Sequence, residues 1–408
     1  MFIIGLLGFG AASAMGGLAQ NSAMLFSARA LQGAFAAVMA PAALSLLTTA
    51  FTEAHERARA FGVYGGISGG GAAIGLVLGG TLTELASWRW TLLINVPFAI
   101  GAAVAARRVV TESRGRSSSS GYDLPGAATV TGGLFLLVYG FTTAGTHGWS
   151  APLTLALLGG AAGLLAAFTA IELRSQHPLL PLRVILDRNR GAAYLASLLV
   201  GIGLLGTFLF LTYFFQGVLH YSALKTGFAF LPFSGGIVIG AATASRFLPS
   251  VGPRRLMATG LLLATGGLAW LTQLSVSSSY VARLLPAEII LSLGLGLTFV
   301  PMSNMALVGV DGRDAGVASA LVNTTQQIGG ALGTALLNTV AASATLSFLA
   351  GHLQSQPERA VATVHGFTVA FSVSAILLFA AAAVVLTFVR TPARQRDPEE
   401  ELSSLLAA

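Results

Sequence analysis

The chain has 408 residues, 54% of them hydrophobic and only 9% charged, with a mean hydropathy of +0.78 and a formal net charge of +7. Soluble globular chains carry about a quarter charged residues, so a surface this poor in charge excludes a water-exposed exterior and faces lipid instead. Cysteine is absent, which excludes disulfides, thiolate metal sites and iron–sulfur clusters.

In chain order, twelve apolar runs are long enough to cross a bilayer as helices: 1–19, 24–50, 60–83, 90–106, 124–144, 151–171, 191–215, 226–245, 256–275, 282–306, 316–340 and 366–389. A spanning helix needs about 20 apolar residues and a barrel strand about ten alternating ones, so the pattern predicts an all-α polytopic membrane protein. The loops 51–59, 107–123, 172–190, 246–255 and 307–315, with the tail 390–408, hold 17 of the 22 Arg and Lys residues. Arg89, Lys225 and Arg359 lie in the opposite loops, and Arg29 and Arg283 fall inside spans. That asymmetry is the positive-inside pattern and places the basic loops and the C-terminus in the cytoplasm. The basic balance therefore orients helices and does not imply nucleic-acid binding.

A shift of the sequence by 254 positions superimposes Gly62, Gly75 and Gly79 on Gly316, Gly329 and Gly333, and Ala28-Arg29 on Ala282-Arg283. Parallel internal repeats of this kind build many transporters. The same shift pairs Met1 with Arg255, and the second copy has two further spans before that point, so two preceding helices and a basic loop are expected. The expected organisation is an incomplete four-span bundle at 1–106, then linkers and two extra spans at 107–190. A six-helix bundle at 191–389 and a cytoplasmic tail at 390–408 follow.

The first run of glycines, GGGAAIGLVLGG (69–80), raises a phosphate loop as an alternative to a helix seam. A Walker loop needs a lysine after its last glycine, and a dinucleotide fold needs a preceding strand. The single lysine, Lys225, stands in SALKTG, so no ATP site and no bound cofactor is expected. GISGG (66–70) places Ser68 in a Gly-x-Ser-x-Gly frame, but the six histidines fall in loops or at span edges, and a serine nucleophile needs a base. No cluster of carboxylates or histidines at metal-ligand spacing falls within the spans. An enzyme is not expected. Gly71, Gly75 and Gly79 are four apart and share one helix face, which suits close contact between helices in lipid.

Charged groups inside a span are functional candidates because each costs at least a few kcal/mol. Arg29, with Gln32 beside it, and Glu288 are the candidates for proton coupling; snorkelling of Arg29 and structural pairing of Glu288 stay open as alternatives. Asn323, Gln327, Thr334 and Asn338 lie within about 60° of one another on a helical wheel, which suits a wet cavity or, alternatively, hydrogen bonding between helices. Tyr213 and Gln216, in FLFLTYFFQG (208–217), are further candidates for the substrate cavity.

ARALQGAFAAVMAPAALSLL (28–47), GGGAAIGLVLGGTLTELASWRWTLLINVPFAI (69–100), YFFQGVLHYSALKTGFAFLP (213–232) and GVASALVNTTQQIGGALGT (316–334) resemble the fourteen-span drug:proton antiporter branch of the major facilitator superfamily. The resemblance implies two pseudo-symmetric bundles around a central cavity, two extra linker helices, and proton-driven export of small amphipathic or apolar compounds from a bacterial cell membrane. Its partners would be a small-molecule substrate, protons and the bilayer, without nucleic acid or ATP. A facilitator or importer of a small solute is the alternative. Arg29, Gln32 and Gly33 match the family's fourth-helix motif, whose arginine is implicated in coupling. Gly71, Gly75, Gly79 and Gly80 match its antiporter motif, with Leu76 where the family has proline. The family's first two helices have no match.

Overall fold

Every regular element of the described residues is helical; these are residues 1–51, 53–109, 123–175, 178–180, 182–310, 315–351 and 355–390 of a computed structural model. Most of the serine-rich linker and the tail beyond 390, where domain boundaries were expected, lie outside the described residues. Twelve long helices follow in order: α1 Phe2–Gly17, α2 Ser22–Ala50, α3 Ala54–Leu85, α4 Trp90–Val109, α5 Leu124–His147 and α6 Pro152–Arg174. The second half contains α7 Arg188–Val218, α8 Ala223–Val251, α9 Pro253–Leu271, α10 Tyr280–Leu307, α11 Ala315–Ala350 and α12 Gln356–Phe388. Among the described residues nine of these are long and apolar enough to cross a membrane. The apolar stretches of α1 and α3 are shorter, and α9 starts with Pro-Arg-Arg, which lowers its apolar content.

The helix ends follow from local chemistry. Asp187 accepts hydrogen bonds from the backbone N–H groups of Asn189 and Arg190 and so opens α7. Ser355 and Glu358 form a capping box at the start of α12. Gly252 closes α8 at φ 84°, a conformation that strains residues with a Cβ. At α12's far end the last carbonyls receive arginines from two neighbours: Arg188 of α7 donates to Phe388 O (3.0 Å) and Thr387 O (2.7 Å), and Arg254 of α9 to Leu386 O. Cations are favourable at that negative helix end.

One continuous core runs through α7–α12, anchored by fully buried Phe210, Phe214, Phe215 and Phe371. Its helices meet at backbone distance. A methyl group at Gly294 would overlap Gly260 and Ala264 of α9, and one at Gly296 would overlap Ile237 and Ala241 of α8. In lipid, such contacts carry helix association. The first four helices are arranged differently. α1 packs on α2 and α4, whereas α3 packs mainly against the beginning of α8. α5 and α6 form an antiparallel pair that docks on α11, where Thr339 donates to Phe141 O at 3.0 Å.

Candidate transport site

Arg29 sits two turns into α2, about 10 Å along the helix from its start. Its Nη1 donates to Gln32 Oε1 at 2.6 Å. Gln32, only 5% exposed, donates from Nε2 to Ser13 Oγ of α1 at 3.0 Å. The Ser13 hydroxyl donates to Leu92 O of α4 at 2.9 Å and accepts from Asn95 Nδ2 at 3.1 Å. The permanently charged guanidinium is exposed and bonds to its own-helix neighbour Gln32, the end of a buried polar chain that joins α2 to α1 and α4. Gly33, next on α2, has nothing within 4 Å of a would-be Cβ.

Glu288 lies two turns into α10, fully buried, and neither of its carboxyl oxygens has a hydrogen-bond partner. Its neighbours on the helix explain the burial. Ala287 and Leu291 lie against Gly267 of α9, and Ser292 lies against Gly236 of α8. At 100° per residue Glu288 falls between those two contact faces, together with Leu295 and Phe299. Structural pairing with an arginine, the alternative left open by the sequence, is not what the structure shows. Arg283 instead donates to Gln273 Oε1 at 3.2 Å.

On α11, Asn323, Gln327 and Asn338 are exposed, while Thr334 is half-buried and its hydroxyl donates to Gly330 O at 2.6 Å. The opposite face, with Val322, Gly329, Gly333 and Leu337, is buried, and Gly329 and Gly333 meet Leu198 and Ile202 of α7. The polar face therefore points away from the α7–α12 core. Tyr213 and Gln216 are both exposed at the end of α7. Tyr213 stacks on Phe367 of α12, and this attaches it to α12 rather than to the polar face.

The glycine face of α3 requires a correction. Gly71, Gly75 and Gly79 were expected to line a helix contact, but nothing lies within 4 Å of a Cβ at any of them. The contact face of α3 is rotated from theirs. Gly80 meets the backbone of Ala223 and Leu224, and Gly227 of α8 meets Leu76 and Val77. Just beyond, Glu84 accepts from Leu224 N at 2.9 Å and from the Ser222 side chain. Ser68 falls on α3, but its side chain lies outside the described residues.

The sequence profile of the Major Facilitator Superfamily matches residues 1–334. The chain belongs to that superfamily. Similar relatives include a puromycin resistance protein of Streptomyces alboniger, 48% identical over 96% of this chain and 79% of that protein. A cephamycin export protein of Amycolatopsis lactamdurans is 40% identical over 85% of this chain and 72% of its own length, and a lincomycin resistance protein of Streptomyces lincolnensis is 32% identical over 94% and 76%. Among solved structures, an auto-inhibited peptide transporter of the POT family superposes with a TM-score of 0.58 at 19% identity, covering 97% of this chain and 84% of that one. That likeness shows the shared fold.

Within this superfamily chain, the residues that sequence reasoning missed are those that complete networks across helices. Ser13 and Asn95 are small polar residues in apolar runs and carry no local signal. Glu172, 4% exposed at the end of α6, accepts from Leu179 N and Leu180 N and so ties down the linker. Glu84 joins α3 to α8. A carboxylate at the end of an apolar run was the available clue to both.

Proposed function

We propose that this chain exports small amphipathic or apolar compounds across a bacterial cell membrane in exchange for protons, by alternating access between its two halves. The observation that carries the proposal is Glu288. A carboxyl buried without a partner in an apolar bundle is stable only with a proton or a cation bound, because an isolated buried charge is strongly disfavoured. Its exchange of that proton is the expected coupling step. Arg29, held by Gln32, supplies the fixed positive charge in the first half. The exposed polar face of Asn323, Gln327 and Asn338, with Thr334, offers hydrogen bonds to cargo; Tyr213, stacked on Phe367, and Gln216 are separate exposed candidates at the end of α7. The open face of Gly71, Gly75 and Gly79 is available to the moving half, with Gly80 at the contact that must part. The relatives' names, resistance to or export of antibiotics, support outward transport. The arginine-rich loops and the C-terminus face the cytoplasm in this reading, and the driving force is the proton gradient rather than ATP.

The test is export from proteoliposomes with and without a proton gradient. Collapsing the gradient is expected to stop accumulation, and Arg29→Ala and Glu288→Gln are each expected to remove the gradient-driven part while the protein still inserts. Continued equilibration of substrate at the native rate in Glu288→Gln, with no response to the gradient in the native chain, would identify a facilitator instead.

A further inference from the structure

Glu288 needs a route to water, and the surrounding packing limits where that route can run. Along α10 beyond Glu288, contacts with α8 and α9 are made backbone to backbone at Gly240, Gly260, Gly294 and Gly296, and the Ser292 side chain fills the space at Gly236. In the other direction α10 begins with a turn of π-helix, Tyr280–Leu284, and α7 ends with another, Phe214–Val218. Single π turns are uncommon and recur at functional positions. Here the two meet through the rings of Phe215 and Tyr280. Phe215 lies parallel to Tyr221 with centroids 5.9 Å apart, and edge-on to Tyr280 at 5.9 Å. Tyr221 and Tyr280 are 6.4 Å apart, and Phe230 closes on Phe215 at 5.2 Å. Tyr280 stands eight residues before Glu288, about 12 Å along the helix.

We propose that Phe215, Tyr221 and Tyr280 form a removable stopper between Glu288 and the water at the arginine-poor end of the molecule, with the Tyr280 hydroxyl as its fastener. The proposal rests on reading Glu288 as the proton site. The hydroxyl donates to Ala229 O at 2.9 Å, the last residue of the short first helix of α8 before the chain turns at Phe230. One hydrogen bond therefore ties the π turn of α10 to a break in α8, and the rings fill the gap between them. Charged groups at this mouth include Lys225, whose Nζ lies 3.7 Å from the Tyr221 ring, Arg283, bound to Gln273, and Glu84 of α3, which holds Ser222 and Leu224. All three are exposed and leave the rings as the apolar barrier. Under the positive-inside orientation this end is the one from which an inward proton gradient loads its protons.

The experiment uses the full chain in nanodiscs, treated with a water-soluble carbodiimide and glycine ethyl ester, with the adduct on the Glu288 peptide followed by mass spectrometry. Glu288→Gln provides the blank, and a membrane-soluble carbodiimide measures access through the bilayer. The native chain is expected to label slowly with the soluble reagent. Tyr280→Phe, which keeps the ring and loses one neutral hydrogen bond, is expected to raise the rate about fivefold, and Tyr280→Ala to raise it further. Unchanged labelling by the membrane-soluble reagent shows that the fold is kept. Native-like soluble labelling in both Tyr280 variants, or a native rate as fast as at exposed Glu84, overturns the stopper. Gradient-driven export that survives Glu288→Gln would overturn the proton role while leaving the labelling result standing, so the two failures are distinguishable.

Discussion

Ser13 has one hydroxyl proton and two lone pairs, and all three are used: it donates to Leu92 O and accepts from Gln32 and Asn95. It is 1% exposed, so water cannot replace it. Ser13→Ala is expected to cost about 1–3 kcal/mol, the penalty for leaving buried amide donors unmet, and to lower the melting temperature of the detergent-solubilised protein. It is also expected to weaken gradient-driven export, because Gln32 then loses the anchor that aims it at Arg29. A fully native melting temperature in Ser13→Ala would show that the chain of hydrogen bonds is not structural. Arg29 and Gln32 were legible from sequence because a charge in an apolar run stands out and three residues is one helical turn. Ser13 and Asn95 were not, since their partners are 19 to 82 residues away along the chain. Glu288 was legible as a charge out of place, but its lack of any partner depends on what α8 and α9 present to it.

Two helices with the same glycine spacing behave differently once packed. Gly75 and Gly79 of α3 correspond by the 254-residue shift to Gly329 and Gly333 of α11. A methyl at Gly329 would overlap Leu198 O and one at Gly333 would overlap Ile202, whereas Gly75 and Gly79 meet nothing within 4 Å. Spacing fixes which residues share a face; it does not fix whether a neighbour occupies that face, and this is why the expected contact on α3 was misplaced. The consequence is measurable. Gly329→Ala is expected to destabilise by about 1–3 kcal/mol through overpacking, and Gly75→Ala to be neutral or slightly stabilising, since Ala is the better helix former by about 1 kcal/mol. Thermal unfolding of the two variants side by side decides it, and equal losses would mean that the α3 face is packed after all. The helices themselves were readable as apolar runs. The π turns were not, because the ring contacts among Phe215 of α7, Tyr221 of the following connection and Tyr280 of α10 join distant parts of the chain and leave no periodic signal.

At the scale of the whole molecule, the two halves are joined unevenly. At the arginine-rich end, Arg188 and Arg254 fasten α12 to α7 and α9 within the second half. Across the halves, α3 meets α8 near the opposite end, where Gly80 touches Ala223 and Leu224 and Glu84 caps the first turn of α8. Composition made the helices legible, but not which of them bridge the two halves of the chain, since the bridging contacts pair residues some 140 positions apart. If transport proceeds by parting of the halves, this contact must open in each cycle. The chain has no cysteine, so Gly80→Cys with Leu224→Cys introduces a single possible disulfide without a background to remove. A Cβ at Gly80 would lie 2.6 Å from Ala223 O and 3.0 Å from Leu224 Cα, so the start of α8 has to move outward before disulfide geometry is reached, and native export by the reduced double variant is the control that the seam tolerates the change. Oxidation is expected to form the bond and stop export in proteoliposomes, and reduction to restore it, with each single-cysteine variant insensitive to both. Export continuing at the reduced rate in fully cross-linked protein would show that α3 and α8 stay together throughout, and that cargo crosses without separation of the two halves at this seam.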